Sequence, residues 1–241
     1  MSLALNKESF FWHKVHSLTG IIPVGFYMVQ HLTLNSFSLG GASKFDSVIG
    51  FFDSIPFHLL LVLEIVAIWV PLLFHAVYGI FITSRGESNY FSTKYKWSQN
   101  RMYTFQRYSG ILLFFFLIYH VASTTGVKYT TGDSTAIYYA AWHAKLTTMP
   151  WAAIILPTYL IGVLAASYHL AYGIWNFCIR WGITVSDRAQ IRIQKFSLAF
   201  FIVITLLGWS SIAGFLMNKP GEPVEPSTVQ RDIVLPAGTV R

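Results

Sequence analysis

Charge is what this sequence has least of. Asp, Glu, Lys and Arg make up 11% of its 241 residues, less than half of the roughly 25% usual in a soluble domain. Hydrophobic residues make up 54% and aromatic residues 17%, and the mean hydropathy is +0.51. A soluble domain of this length cannot hide so much apolar surface, so the composition is that of an integral membrane protein. Cysteine is nearly absent as well. Cys178 alone excludes a disulfide framework, a cysteine-type zinc site and any iron–sulfur cluster bound by this chain by itself. No nucleotide-binding glycine motif and no phosphate loop occur. Length is limited too. At about 20 apolar residues per span, five or six spans use nearly the whole chain and leave little for a soluble catalytic domain. The net charge of +7 is, in so apolar a chain, loop charge that sets membrane orientation rather than a nucleic-acid surface.

Five apolar stretches are present, at residues 15–37, 57–83, 105–125, 151–181 and 196–217. Each is long enough to cross a hydrocarbon core of about 30 Å at 1.5 Å per residue. The first is not expected to be a cleaved signal peptide, because it carries Pro23, Gln30 and His31 and no small-residue cleavage site follows. Eleven basic residues lie on one side: Lys7, Lys14, Arg85, Lys94, Lys96, Arg101, Arg107, Arg180, Arg188, Arg192 and Lys195. The opposite loops hold Lys44, Lys128 and Lys145. The positive-inside rule puts the N-terminus in the cytoplasm and the C-terminus outside. Trp12, Trp97, Trp151 and Trp181 sit near span ends as interface anchors. Residues 1–217 form the membrane unit. The Pro- and Gly-rich tail at 218–241 is expected to be extended or disordered.

Against this scarcity of polar residues stand eight histidines. Four lie inside spans, one on each of the first four helices: His31, His75, His120 and His169. An ionisable residue inside a span is a functional candidate by default. Counted from the span centres, His31 and His120 lie roughly 6–7 Å toward the outside. His75 and His169, on helices running the other way, lie roughly 5–8 Å toward the cytoplasm. The four therefore form two pairs about 12–15 Å apart in depth. A single intramembrane histidine is often no more than a hydrogen bond between helices. Two matched pairs on four helices are what two six-coordinate b haems require, with a neutral imidazole on each face of the iron. The chain also repeats weakly. His75 opens HAVYGI and His169 opens HLAYGI, while Gly20 and Gly110 precede His31 and His120 by eleven and ten residues. Gly20 shares a face with His31 and falls at the inner-haem depth, where a missing side chain makes room for a porphyrin. The expected fold is an all-α integral membrane protein of five transmembrane helices, the first four forming a dihaem-binding bundle.

Four stretches carry a resemblance: HSLTGIIPVGFYMVQHLTLNSF, FHAVYGI, FQRYSGILLFFFLIYHV and GIWNFCIRWGITVSDRAQ. Together they resemble the cytochrome b membrane-anchor subunits of succinate dehydrogenases, of the single-polypeptide, five-helix, dihaem type found in Bacillus. The resemblance spans about residues 9–216. It implies His75 and His169 as ligands of an inner haem iron, and His31 and His120 as ligands of an outer one. It further implies a flavoprotein subunit carrying FAD and an iron–sulfur subunit docked on the cytoplasmic face of a bacterial inner membrane. Electrons would pass through two b haems to a quinone, menaquinone by resemblance, reduced near the outer haem with protons taken from outside. The chain would be the quinone-reactive subunit and would not oxidise succinate by itself. His13 and Lys14 stand where the family pattern has arginines, and the tail has no counterpart.

Other residues have weaker claims. Glu64, the one carboxylate within a span, lies eleven residues before His75, hence on its face and about 16 Å further out. There it suits proton exchange with a quinone, or else a structural hydrogen bond. Thr158 stands in the same relation to His169. His16, near the cytoplasmic mouth, is a candidate for an inner-haem propionate or a quinone. Arg107 is a second propionate candidate, or ordinary positive-inside charge. His13, His58 and His143 read as interface residues, and Cys178 as a small packed one. The basic loops suit docking of soluble subunits or lipid headgroups. The same scaffold can serve a quinol:fumarate reductase. From other classes, a haem-free anchor and a proton-relay transporter compete. The transporter would be marked by broken half-helices in inverted repeats, whereas these spans read as continuous and their repeat as parallel.

Overall fold

The computed structural model describes residues 2–86 and 98–217, with side chains at 10–86 and 100–217. The tail at 218–241, and the stretch 87–97 with Lys94, Lys96 and Trp97, lie outside the described residues. Among the described residues all regular structure is helical.

Four helical stretches are long and apolar enough to cross a membrane: Phe57–Arg85, Asn100–Thr131, Ala152–Arg180 and Asp187–Met217. They correspond to the second to fifth expected spans. The fourth matches its expected limits within one residue, and the fifth begins nine residues earlier than expected. The first expected span is not one helix. It is α1 (Ser2–Ile21) followed by α2 (Pro23–Asn35), parted at Ile22. Pro23 is the cause. It has no N–H to give the carbonyl of Thr19, and its ring crowds that carbonyl in a regular helix. Pro23 opens α2 at its first turn, where a missing N–H costs nothing. The expectation of continuous spans fails at this point.

The second span is also irregular. It comprises α4 (Phe57–Glu64), a π-helical turn at Ile65–Trp69 and α5 (Val70–Arg85). Here α3 is the preceding helix, Ala42–Asp53. The Val70 N–H reaches back five residues to Ile65 O. Pro71 follows at once, and the wider turn gives its ring room. A π turn takes up one more residue than an α turn, which rotates everything beyond it by about 100°.

The remaining helices are α6 (Ser98–Ala122), α7 (Thr125–Thr131), α8 (Tyr139–Thr147), α9 (Ala152–Arg180) and α10 (Asp187–Met217). α1 packs on α5 and on α9, and α9 packs on α6. The two repeats, α1–α5 and α6–α9, thus meet across α1 and α9. α10 lies outside the four, against α9, α2 and the 3₁₀ turn Ser36–Gly40. The α9–α10 seam is built from small residues. Ala165, Ser167 and Ala171 are buried on α9, and Ser197, Thr205 and Gly208 on α10, as close packing in lipid favours. Outward faces carry Val66, Val77, Phe115, Ile118, Val203 and Leu206, all exposed, as lipid requires. Trp151 and Trp181 are exposed at the two ends of α9, and Trp12 is exposed midway along α1.

The largest addition to the sequence reading is a helical cap at the end where α2, α6 and α10 finish. The segments read there as loops fold into α3, α7 and α8. Their core joins Phe45, Tyr139 and Leu146 to Tyr159, Val163, Ile212 and Phe215 of α9 and α10. Tyr139 is fully buried. Its hydroxyl donates to Gly214 O at 2.7 Å, and its N–H donates to an Asp46 carboxylate oxygen at 2.8 Å. Lys128 pairs with Asp53 at 2.7 Å, tying α7 to the end of α3. His143, read as an interface residue, hydrogen-bonds Phe215 O through Nδ1 at 2.7 Å.

Candidate cofactor-binding histidine pairs

The four span histidines meet as two pairs. The ring centres of His75 and His169 are 6.0 Å apart with planes at 85°. Those of His31 and His120 are 5.8 Å apart with planes at 82°. These are the pairs that depth counting predicts. Two imidazoles binding one ion from opposite sides, through bonds of about 2.0–2.1 Å, have ring centres about 6 Å apart. Among the described residues no three His, Cys, Asp or Glu side chains gather as a bare-ion site. A pair alone supplies two axial ligands. It fits a metal that brings its other four donors in a macrocycle, which is the chemistry of haem.

Second-sphere contacts fix the rings. His75 Nδ1 lies 2.9 Å from His16 O, and His169 Nδ1 lies 3.1 Å from Gln106 O. A carbonyl only accepts, so each Nδ1 carries the proton. In the neutral ring Nε2 is then left with the lone pair, the state of a ligating histidine. Gln106 returns the contact, its Nε2 donating to His169 O at 2.8 Å. His120 Nδ1 is 3.3 Å from the Tyr159 hydroxyl. Its ring stacks on Phe116 at 5.7 Å and faces Trp142 at 6.4 Å. The His31 ring stacks on Tyr27 at 5.5 Å.

Glycines back the rings of one pair. A Cβ placed on Gly20 would collide with the His75 imidazole, 2.6 Å from Nδ1 and closer to Cε1. A Cβ on Gly110 would lie 2.9 Å from Cε1 of His169. Each glycine therefore gives room to an imidazole of the other pair. The room expected for a porphyrin beside Gly20 is occupied by the His75 imidazole.

His16 stacks flat on His75, with centres 4.0 Å apart and planes at 9°. Beyond it, Tyr78 OH lies 3.1 Å from His13 Nδ1. Arg107 of α6 reaches the end of α5. Its Nη2 donates to Thr83 O and Gly86 O, both at 2.6 Å, closing the carbonyl end of α5. Thr158 donates to Ile154 O in its own helix at 2.8 Å. Cys178 is half-buried and free.

Glu64 ends α4, directly before the π turn. The extra residue breaks the α-helical phase that put it on the face of His75. Glu64 instead accepts a hydrogen bond from Tyr129 OH of α7 at 2.6 Å. It also interacts electrostatically with Tyr27, the residue stacked on His31. Sequence reasoning passed over Tyr129, Tyr159, Gln106 and Trp142. Only the scarcity of polar side chains in the spans could have flagged Gln106.

A family model described as the succinate dehydrogenase/fumarate reductase transmembrane subunit matches residues 89–208. The succinate dehydrogenase cytochrome b558 subunit of Bacillus subtilis is 34% identical over 211 residues, covering 88% of this chain and 98% of that protein. The chain belongs to the family of succinate dehydrogenase/fumarate reductase transmembrane subunits.

Proposed function

We propose that this chain is the dihaem cytochrome b anchor of a bacterial succinate:quinone oxidoreductase. It takes electrons from an iron–sulfur subunit docked, with its flavoprotein, on the cytoplasmic face. It delivers them to a membrane quinone, menaquinone by resemblance. The observation that carries this reading is two histidine pairs, the ring centres within each about 6 Å apart, one pair with both Nδ1 atoms on backbone carbonyls. A bis-histidine haem b supplies a one-electron couple on iron. The chain's own part is to hold His75 and His169 as ligands of the inner haem, and His31 and His120 as ligands of the outer one. Gly20 and Gly110 keep the imidazoles of the first pair in place. His16 packs on His75, so a role for it at the inner haem rests on stacking.

Glu64, with Tyr129 donating to it and Tyr27 beside it, is the group suited to exchange protons with a quinone near the outer haem. The N-terminus lies in the cytoplasm and the C-terminus outside, from the distribution of basic residues. Fumarate reduction on the same scaffold is the second reading, and the direction depends on haem potentials and the quinone pool.

The test is a pyridine haemochrome assay with reduced-minus-oxidised spectra of the purified complex. Two b haems per chain are expected. One should be lost in His75→Ala and His169→Ala, and the other in His31→Ala and His120→Ala. Absence of b haem would overturn this reading in favour of a haem-free anchor or a proton relay.

A further inference from the structure

Lys145 on α8 stands at the His31–His120 end of the bundle. It is half-buried, and burial pushes its pKa down. Its ammonium donates to Ser123 O at 2.8 Å. It also lies 4.6 Å from the ring centre of Trp142. Both neighbours lead to His120. Ser123 follows it by three residues on the same chain segment, and its hydroxyl donates to His120 O at 3.3 Å. Trp142 faces the His120 ring at 6.4 Å. Lys145 is thus linked to His120 through Ser123 on one side and Trp142 on the other.

A cation withdrawn from water costs free energy unless an anion compensates it. Among the described residues the one ion pair joins Lys128 to Asp53, and no carboxylate lies within ion-pair distance of Lys145. One carbonyl and one aromatic face satisfy only part of an ammonium with three donors. Trp142, which lies under this ammonium, is in turn in edge-to-face contact at 5.2 Å with Tyr159, the hydroxyl partner of His120. The arrangement calls for an anionic oxygen that arrives with whatever the pair binds.

We infer that Lys145 is the electrostatic partner of the cofactor at His31 and His120, its ammonium receiving a propionate carboxylate of that haem. This rests on the dihaem reading. Lys145 is a positioning residue: it touches neither iron nor its ligating nitrogens. Removing the positive charge leaves a carboxylate uncompensated beside the iron, which disfavours taking up an electron.

The experiment is a potentiometric titration of the two b haems in the intact, purified complex, comparing Lys145→Met and Lys145→Arg with the unsubstituted protein. Lys145→Met should shift the reduction equilibrium of the outer haem at least about tenfold toward the oxidised form, a fall of 59 mV for one electron. The inner haem should not move, and Lys145→Arg should restore the outer value. An unchanged outer midpoint in Lys145→Met, with both haems bound, overturns the inference. Loss of the outer haem in Lys145→Met but not in Lys145→Arg supports it, whereas loss in both makes the lysine merely structural and overturns it. Repeating the titration after quinone extraction separates the two sources of anionic oxygen. A shift that vanishes without quinone assigns Lys145 to the quinone and refutes the propionate partner. Failure of the dihaem reading itself would show earlier, as absence of b haem in the unsubstituted complex.

Discussion

Adding one methyl group at Gly20 tests whether the helices are spaced by contact between a glycine and an imidazole. The Cβ of Gly20→Ala would stand 2.6 Å from Nδ1 of His75 and closer to Cε1, where ordinary contact begins at 3.4 Å. The ring must retreat by about 1 Å on van der Waals grounds. It has little freedom to do so. Its Nδ1 is bound to His16 O at 2.9 Å, and its face is stacked on His16 at 4.0 Å. Retreat breaks the hydrogen bond, worth about 1 kcal/mol net. Losing such a second-sphere partner typically costs about 10–100-fold in metal affinity. Gly110→Ala is milder, with its nearest His169 atoms at 2.9 and 3.2 Å, so that a shift of about 0.5 Å suffices. Gly173→Ala meets Gln106 Nε2 at 3.5 Å and Ile21 Cδ1 at 3.7 Å, both ordinary contacts, and requires no movement. The series should therefore grade the haem at His75 and His169. Gly173→Ala keeps both haems, Gly110→Ala keeps both with weaker retention of one, and Gly20→Ala reproduces the spectrum of His75→Ala. Haem content and reduced-minus-oxidised absorbance of the purified complex read this directly. Alanine favours a helix over glycine by about 1 kcal/mol, so a loss at Gly20 cannot be laid to a weaker helix. Two haems and an unaltered spectrum in Gly20→Ala would refute the argument.

Glu64→Gln should lower quinone turnover by about 10²-fold and flatten its pH profile, while Tyr129→Phe should move the profile without flattening it. Turnover unchanged in Glu64→Gln would leave this carboxylate structural. Tyr139→Phe leaves Gly214 O without the hydroxyl that reaches it at 2.7 Å and should cost about 1–3 kcal/mol. Thermal unfolding of the solubilised protein should register this with haem content unchanged, and an unshifted midpoint would count against the cap as a stabilising unit.

Which histidines pair was legible in the sequence, because depth along a straight helix follows from counting residues. His75 and His169 lie in the regular part of α5 and in α9, so the count survives. It survives for His31 because Pro23 interrupts the helix for only one residue. The same arithmetic fails for the angular position of Glu64, where the π turn at Ile65–Trp69 adds a residue that composition does not announce. Pro71 was the available sign, yet a proline permits a kink or a π turn equally. Arg107 was legible as a cation at the end of a span but not as the cap of α5, since its partners are backbone carbonyls on another helix. The cap formed by α3, α7 and α8 was hidden for a different reason. Its helices are short, and α3 and α8 bury side chains against span ends instead of crossing lipid, so hydropathy reads them as loops.

The two pairs are held by different means, and this bears on how their cofactors can be tuned. His75 and His169 lean on backbone carbonyls of α1 and α6, which move only if those helices move. The helices are in turn kept at contact distance by Gly20 and Gly110. His120 leans on the hydroxyl of Tyr159, and His31 on the face of Tyr27. A side-chain hydroxyl can rotate or be replaced without shifting a helix. The pair anchored to backbone thus has a geometry fixed by the fold. The pair anchored to side chains has its hydrogen bonding, its neighbouring cation at Lys145 and the Glu64–Tyr129 contact all within reach of single substitutions. An electron carrier at the first pair is positioned by architecture, and one at the second by local chemistry. On the proposed function, the second is where proton exchange with a quinone would need adjustable groups.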